Sequence, residues 1–525
     1  MLDERAANDV THGAAAAAPQ GPDAVPPGSR AAVVGAGFGG LALAIRLQSA
    51  GVRTVLFEGR DKLGGRAYVY RDEGFVFDAG PTVITDPDCL EQLWALSGRK
   101  MSDYCELVPV DPFYRLCWED GTVFDYNNDQ DALDRQIEAI NPRDVQGYRD
   151  FLAYSKRVYH EGYEKLGTTA FLNFGQMVRA APALMATNAY RSVYAKVSQF
   201  IEDEHLRMAF SFQPLLVGGN PFEASSIYAL IHALEREGGV HFAKGGTNAL
   251  INAMGRLFEE LGGEIRLSSP VTDITVENGR ATGVVADGAS ERFDMVASNA
   301  DVMHTYKSLL KKTPRGPKKA RQLEKMRFSM SLFVIYFGLK TERPDLKHHM
   351  VLFGPRYKEL VHDIFRGHEL PDDFSLYLHA PSVTDDSLAP EGQSAYYVLS
   401  PVPHLGRADI DWAKQGPIYR DRILDYLEER YIPDLRRDLV TSRIFTPADF
   451  RSELNAHHGS AFSVEPILTQ SAWFRPHNRD DAIPNMYIVG AGTHPGAGVP
   501  GVVGTAKATA QLMIEQARTE ADRAA

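Results

Sequence analysis

The clearest pattern in the chain lies near its start. Residues 31–34 are consecutively apolar, as a strand buried on both faces should be. Leu41, Ala42, Ile45 and Leu47 then recur at helical spacing and stop at Gly51, a C-cap residue. Residues 54–57 read as a second buried strand that ends on Glu58. Residues 75–78 alternate like a strand and break at Gly80-Pro81, and 113–126 read as a hairpin around Glu119-Asp120-Gly121. From about 129 to 235 the period is helical, with Tyr148, Phe151, Leu152, Ser155 and Val158 on one face. Within it, 172–212 mixes aromatics, methionines and arginines, including Phe174, Met177, Met185 and Tyr190. That pattern fits either buried core or a helical cap that touches lipid and lines an apolar tunnel.

The second half alternates strand and helix again. Gly245-Gly246-Thr247 precedes a helical run over 250–261 that Gly262-Gly263 ends. Strands are expected at 264–267, and at 271–276 and 282–285 joined through Asn278-Gly279, and residues 295–301 complete that section. The strongest apolar run, 332–337, reads as part of a buried strand over 331–339, followed by strands near 374–379 and 395–400. A charged helix is expected over 419–431. The chain closes on a strand at 486–489, a glycine-rich turn and a helix over 502–514. Residues 1–29, rich in Ala, Pro and Gly and without the charge and apolar pattern of a signal peptide, read as a disordered tail, and 519–525 as a second tail.

Composition narrows the classes. A chain of 525 residues, 44% hydrophobic and 24% charged, can bury more than one core and is expected to form two or more domains. Its net charge of −12 gives no support for nucleic-acid binding. A basic island at 311–319 is the local exception, either a solvated loop or a contact for anionic lipid headgroups. Cys89, Cys105 and Cys117 include no C-x-x-C pair, which fits a reducing compartment, and no metal is expected. No apolar run approaches the eighteen or so residues of a membrane-spanning helix.

The candidate chemistry sits between the first strand and helix. Gly35-Ala36-Gly37-Phe38-Gly39-Gly40 is a G-x-G-x-x-G turn in which Gly35 allows the bend, Gly37 a close approach to a pyrophosphate, and Gly40 tight helix–strand packing. The helix N-terminus offers unpaired N–H groups to the phosphates. Glu58, 23 residues after Gly35, is placed to accept hydrogen bonds from a ribose 2′-OH and disfavours a 2′-phosphate. Gly64-Gly65-Arg66 is a second glycine turn whose guanidinium can bridge a diphosphate.

This pair of motifs resembles the signature of the FAD family that includes amine oxidases, protoporphyrinogen oxidase and carotenoid desaturases, and the resemblance implies FAD rather than NAD. In that family the segment holding Asp78, Gly80, Pro81 and Thr82 passes beside the flavin. The Val271 backbone meets the adenine, and Gly490, Gly492, Thr493, Val499 and Pro500 belong to the closing flavin segment. The helix that follows points its N-terminus at the N1–C2=O edge of a reduced flavin. Longer stretches, among them FDAGPTVITDP, SSIYALIHALERE, FSLYLHAP, HGSAFSVEPILTQSAWFRPHNRD and VGAGTHPGAGVPG, resemble bacterial-type phytoene desaturases of the lycopene-forming kind from about 31 to 516.

The resemblance implies an α/β fold: a Rossmann-like FAD-binding domain (30–100, 239–304, 466–518) interleaved with a substrate domain (101–238, 305–465) of mixed sheet and membrane-facing helical cap. It implies successive desaturations of phytoene through phytofluene, zeta-carotene and neurosporene to lycopene, with hydride passing to flavin N5. Oxygen or a quinone would re-oxidise the flavin, and the enzyme would sit peripherally on the cytoplasmic side of the cell membrane. A desaturase stopping at neurosporene, or a redox-silent carotenoid isomerase, would share most of these motifs. Phytoene has no polar handle, so an apolar tunnel fed from the bilayer must position it. No catalytic base is assigned. Glu465, Asp301 and His494 are conceivable proton acceptors, but the two acids can equally bond backbone amides and His494 can shape the glycine loop. Where relatives often carry Arg-Asp, this chain has Gly175-Gln176, and Gln176 cannot take a proton at neutral pH.

Overall fold

The computed structural model describes Val25 and residues 28–524. Most of the stretch read as an N-terminal tail therefore lies outside the described residues. Val25, however, is buried, and its N–H donates to the Ala50 carbonyl at 2.8 Å.

A five-stranded parallel sheet forms the first layer. Its strands run in the order Met486–Ile488, Met295–Ser298, Arg30–Val34, Arg53–Phe57, Glu264–Arg266. Three separate stretches of chain thus meet side by side. The central strand explains its own apolar run. Ala31 and Val33 face a core made with the helices Phe38–Ser49, Thr247–Glu260 and Val499–Ala524. Ala32 and Val34 face the opposite way, against a core that includes Ile274 and Val284 of a three-stranded antiparallel sheet. With both faces covered, positions 31–34 are all apolar, and only Arg30 at the strand's half-buried start is charged. The Phe38–Ser49 helix starts from an extended Gly37 and ends at Ala50, with Gly51 in the left-handed region.

The second layer is a seven-stranded mixed sheet, in the order Leu439–Phe445, Ser331–Leu339, Ser394–Val402, Leu376–His379, His349–Phe353, Tyr114–Trp118, Val123–Tyr126. Ser331–Leu339 is buried at every position because its alternate residues serve two cores. Leu332, Val334 and Tyr336 face one, and Phe333, Ile335 and Phe337 pack toward the helix Trp412–Arg430.

Several boundaries differ from the sequence expectation, three of them the most. The charged helix begins at Trp412, seven residues before 419, with Asp411 accepting from the Lys414 amide. Pro417 lies inside it, where it forfeits only a hydrogen bond to the carbonyl of the exposed Ala413. The basic island is no loop from Arg315 onward: Arg315–Leu323 is a helix, whose Gly316 amide donates to the Thr313 hydroxyl. Arg315 bonds Asp480 at 2.8 Å and Asp481 at 3.2 Å, and Lys319 lies 3.8 Å from Asp481, so these charges are spent inside the fold. The closing helix starts at Val499, with Pro500 in its first turn, and runs to Ala524 through residues read as tail.

Candidate active site

A single cavity of about 760 Å³ lies between the end of the parallel sheet and the seven-stranded sheet. Gly35, Ala36, Gly37, Phe38, Gly39, Glu58, Gly64, Gly65 and Arg66 line one end, together with Val271, Gly490, Val499 and Pro500, and Gly80, Pro81 and Thr82 line the cavity further along. The two glycine turns are stitched to each other: the Gly64 amide donates to the Ala36 carbonyl at 2.9 Å. Asn299 Nδ2 donates to the Gly35 carbonyl at 3.2 Å, which ties the first turn to the strand beside it.

The remaining predicted residues do not line the cavity. Gly40 lies behind it, where a Cβ would stand 2.0 Å from the Gly35 carbonyl oxygen; helix and strand touch there as the motif requires. Asp78 is buried and accepts from the amides of Thr247 at 2.9 Å and Asn248 at 3.3 Å, so it caps the Thr247–Glu260 helix rather than facing the cavity. Burial pushes its pKa up to about 6 against the pull of those amides. Gly492 packs on Val302, and Thr493 Oγ1 donates to the Pro476 carbonyl at 2.5 Å, so both shape the closing loop from behind.

Glu58 is held by the turn it serves. Its Oε2 accepts from the Ala36 amide at 2.8 Å and its Oε1 from the Arg60 amide at 3.0 Å. Each oxygen keeps a lone pair for a hydroxyl donor. Arg66 is the opposite case. Its Nε and Nη2 are buried and have no hydrogen-bond partner. Burial lowers the pKa of this guanidinium, and the nearby Asp301 carboxyl opposes the shift. A buried cation with unused donors, beside two glycine turns and a helix N-terminus, suits a diphosphate.

The other end of the cavity is apolar, lined by residues such as Phe171, Leu216, Ile227, Ile231, Leu332 and Phe353. Between the two ends, tyrosines of the seven-stranded sheet pin the 79–82 segment. Tyr336 donates to the Ala79 carbonyl at 2.8 Å and Tyr397 to the Gly80 carbonyl at 3.1 Å. Thr82 Oγ1 shares hydrogen bonds with Tyr397 at 2.8 Å and Tyr377 at 3.1 Å.

The acid–base candidates separate. Asp301 lines the cavity and also caps a short helix, accepting from the amides of Met303 at 2.9 Å and His304 at 3.2 Å. His494 lines it too; its Nε2 bonds the Leu166 carbonyl at 3.0 Å, and burial lowers its pKa to about 4. Glu465 is not on the wall. Instead of backbone amides it meets Arg327 at 2.8 Å and Arg366 at 3.0 Å. Gln176 is likewise off the wall, and its Oε1 accepts from the Leu172 and Asn173 amides in a capping box.

Sequence reasoning missed Glu235. It lines the cavity, its Oε1 accepts from the Tyr114 hydroxyl at 2.8 Å, and its Oε2 has no partner. Burial raises its pKa to about 8. The available signal was helical spacing: Glu235 follows Ile231 by four residues, and Ile231 lines the same cavity.

Residues 38–514 match the family described as flavin containing amine oxidoreductase. The chain belongs to that family. It is 65% identical over 490 residues (93% of this chain, 98% of the relative) to a Paracoccus protein named phytoene desaturase (lycopene-forming). A Pseudescherichia vulneris protein of the same name is 64% identical over 484 residues, covering 92% of this chain and 98% of that one. In fold, the chain is similar to cyclohexylamine oxidase from Brevibacterium oxydans, with a TM-score of 0.62 at 16% identity, covering 93% of this chain and 99% of that structure. As in this flavin family, the architecture is α/β with mixed sheets, and the cofactor is FAD. Arg66, Glu58 and the two glycine turns are the residues that fit it.

Proposed function

We propose that this flavoenzyme desaturates phytoene in successive steps to lycopene. The carrying observation is the continuity of one cavity from the phosphate-binding turns and Arg66 to a wall of aliphatic and aromatic side chains. Such a cavity suits a substrate without polar groups, and the high identity to relatives named lycopene-forming supports the choice.

Bound FAD supplies the hydride acceptor that making C=C from CH–CH requires. The chain's residues do the rest. The tyrosine-pinned segment at 79–82 fixes the wall between nucleotide and substrate ends, and the aliphatic wall aligns the polyene by contact alone. Glu235, protonated and neutral at pH 7, keeps the substrate end free of charge. Oxygen or a quinone completes the cycle.

The substrate enters from a membrane surface. Within the helix Phe174–Ala186, Met177 and Leu184 line the cavity while Phe174, Val178 and Met185 are more than half exposed, at 54%, 56% and 65%. Tyr190 and Phe474 extend the exposed patch. One helix thus has an apolar face toward each side, which supports transfer from bilayer to cavity without passage through water. Among the described residues no helix is long and apolar enough to cross a membrane, so docking is peripheral. The three unpaired cysteines support the cytoplasmic side.

The test is product analysis with FAD-loaded protein, phytoene in liposomes and a quinone. Lycopene, preceded by shorter polyenes, is expected. Oxidation ending at neurosporene would revise the product, and altered polyene geometry without oxidation would overturn the reading in favour of an isomerase.

A further inference from the structure

Three histidines meet in the seven-stranded sheet. His349 opens its strand directly opposite His379, the last residue of Leu376–His379, so both rings stand on one face with centroids 5.4 Å apart. His348 precedes the strand and escapes its alternation; its ring lies 4.4 Å from that of His349 and 4.9 Å from that of His379. All three residues are buried, and one ring nitrogen of each lies within 4.8 Å of the others.

The hydrogen bonds are unevenly shared. His348 Nδ1 bonds Thr384 Oγ1 at 2.6 Å, and His349 Nδ1 bonds the Tyr377 hydroxyl at 2.6 Å. His348 Nε2 and His379 Nε2 lie 3.1 Å apart. His349 Nε2 and His379 Nδ1 are buried with no partner. An imidazole whose outer nitrogen is held by a hydroxyl and whose other nitrogen is left toward its fellows is arranged as metal-ligating histidines are. Nitrogens bound at about 2.0–2.1 Å to one tetrahedral ion stand roughly 3.3 Å apart, close to the separation of the His348 and His379 nitrogens.

We infer that His348, His349 and His379 together bind one divalent transition-metal ion of borderline softness, such as Zn²⁺, through ring nitrogens. A neutral imidazole carries one ring-nitrogen lone pair, and it is in that form that histidine binds a metal. The expectation of no metal rested on cysteine spacing, which does not bear on an all-histidine site. Through Tyr377, which bonds both His349 and Thr82, the ion would brace the strand ends behind the 79–82 wall.

The test uses tag-free, FAD-loaded protein produced in medium supplemented with Zn²⁺ or with Co²⁺. Metal per chain is measured by mass spectrometry after gel filtration, and Co²⁺ protein is examined by visible absorption. About one equivalent is expected in the wild type, with the ligand-field bands of a tetrahedral, nitrogen-bound Co²⁺. His379→Gln and His349→Gln should each lower retention at least ~tenfold at unchanged flavin content. His458→Gln, at the separate stack with His404, should leave it unchanged. A wild type that retains no equivalent, or whose Co²⁺ spectrum is that of the hydrated ion, overturns the inference. So does loss of the metal in His458→Gln alone. Should the sheet variants lose flavin through misfolding, the wild-type stoichiometry and Co²⁺ spectrum decide.

Discussion

The Tyr114 hydroxyl donates to Glu235 Oε1 at 2.8 Å on the wall of the apolar half of the cavity, and Glu235 Oε2 is left without a partner. The carboxyl is fully buried, so desolvation raises its pKa from 4.5 to about 8 against the pull of the neutral Tyr114 and Gln213 side chains. The folded state then holds a proton that the unfolded chain releases above 4.5. This group's contribution to stability is fully present below about pH 4.5 and is lost as pH rises through about 8. Glu235→Gln, which cannot ionise, should show a smaller fall in Tm between about pH 5 and 8.5 than the wild type. Parallel thermal melts across that range check this; equal slopes would show that Glu235 does not titrate there.

Arg66 is expected to dominate affinity for the cofactor. Charge-assisted hydrogen bonds contribute roughly 1.5–3 kcal/mol each, so Arg66→Gln should weaken FAD binding about tenfold to a hundredfold or more. Arg66→Lys, a point charge without the planar fork, should recover part of it. Flavin fluorescence titration of deflavinated protein reads both. Unchanged affinity in Arg66→Gln would mean that its unused donors do not meet the diphosphate.

Gly40 is constrained by contact with backbone, which cannot yield as a side chain end can. A methyl group 2.0 Å from the Gly35 carbonyl oxygen must push helix and strand apart. Gly40→Ala should cost about 1–3 kcal/mol or more and reduce flavin retention, measured by denaturant unfolding. Asp78→Asn keeps the shape but loses the charge that caps the Thr247–Glu260 helix, and should cost about 1 kcal/mol in the same assay.

Phe174 and Met185 are exposed on a helix whose other face borders the cavity. Burying each such side chain in lipid is worth roughly 1.5–3 kcal/mol. Phe174→Ser with Met185→Ser should therefore reduce co-sedimentation with liposomes by tenfold or more while leaving flavin content unchanged. Unreduced binding would place the membrane contact elsewhere.

What could be read from the sequence was local. The strand, glycine turn, helix and Glu58 signal one another within thirty residues, and the structure brings them to one end of the cavity. Ser331–Leu339 was legible because a strand serving two cores must be apolar throughout. Partners distant in sequence were not. Asp78 has the look of a cofactor residue until the Thr247 amide, 169 residues on, is found on its carboxylate. Glu465 could not announce two arginines from other segments. The basic run at 311–319 looked free because Asp480 and Asp481, which neutralise part of it, come much later. His348 and His349 should face opposite ways on a strand, and only the strand's true start brings them together with His379.

The most direct test of the central claim is anaerobic. FAD-loaded protein is mixed with phytoene in liposomes, without oxygen or quinone, and the full absorption spectrum is followed. Loss of the oxidised flavin bands together with a longer-polyene spectrum, one desaturation per flavin, is the predicted result. Flavin that stays oxidised, with the polyene unchanged or only altered in geometry, would contradict the account.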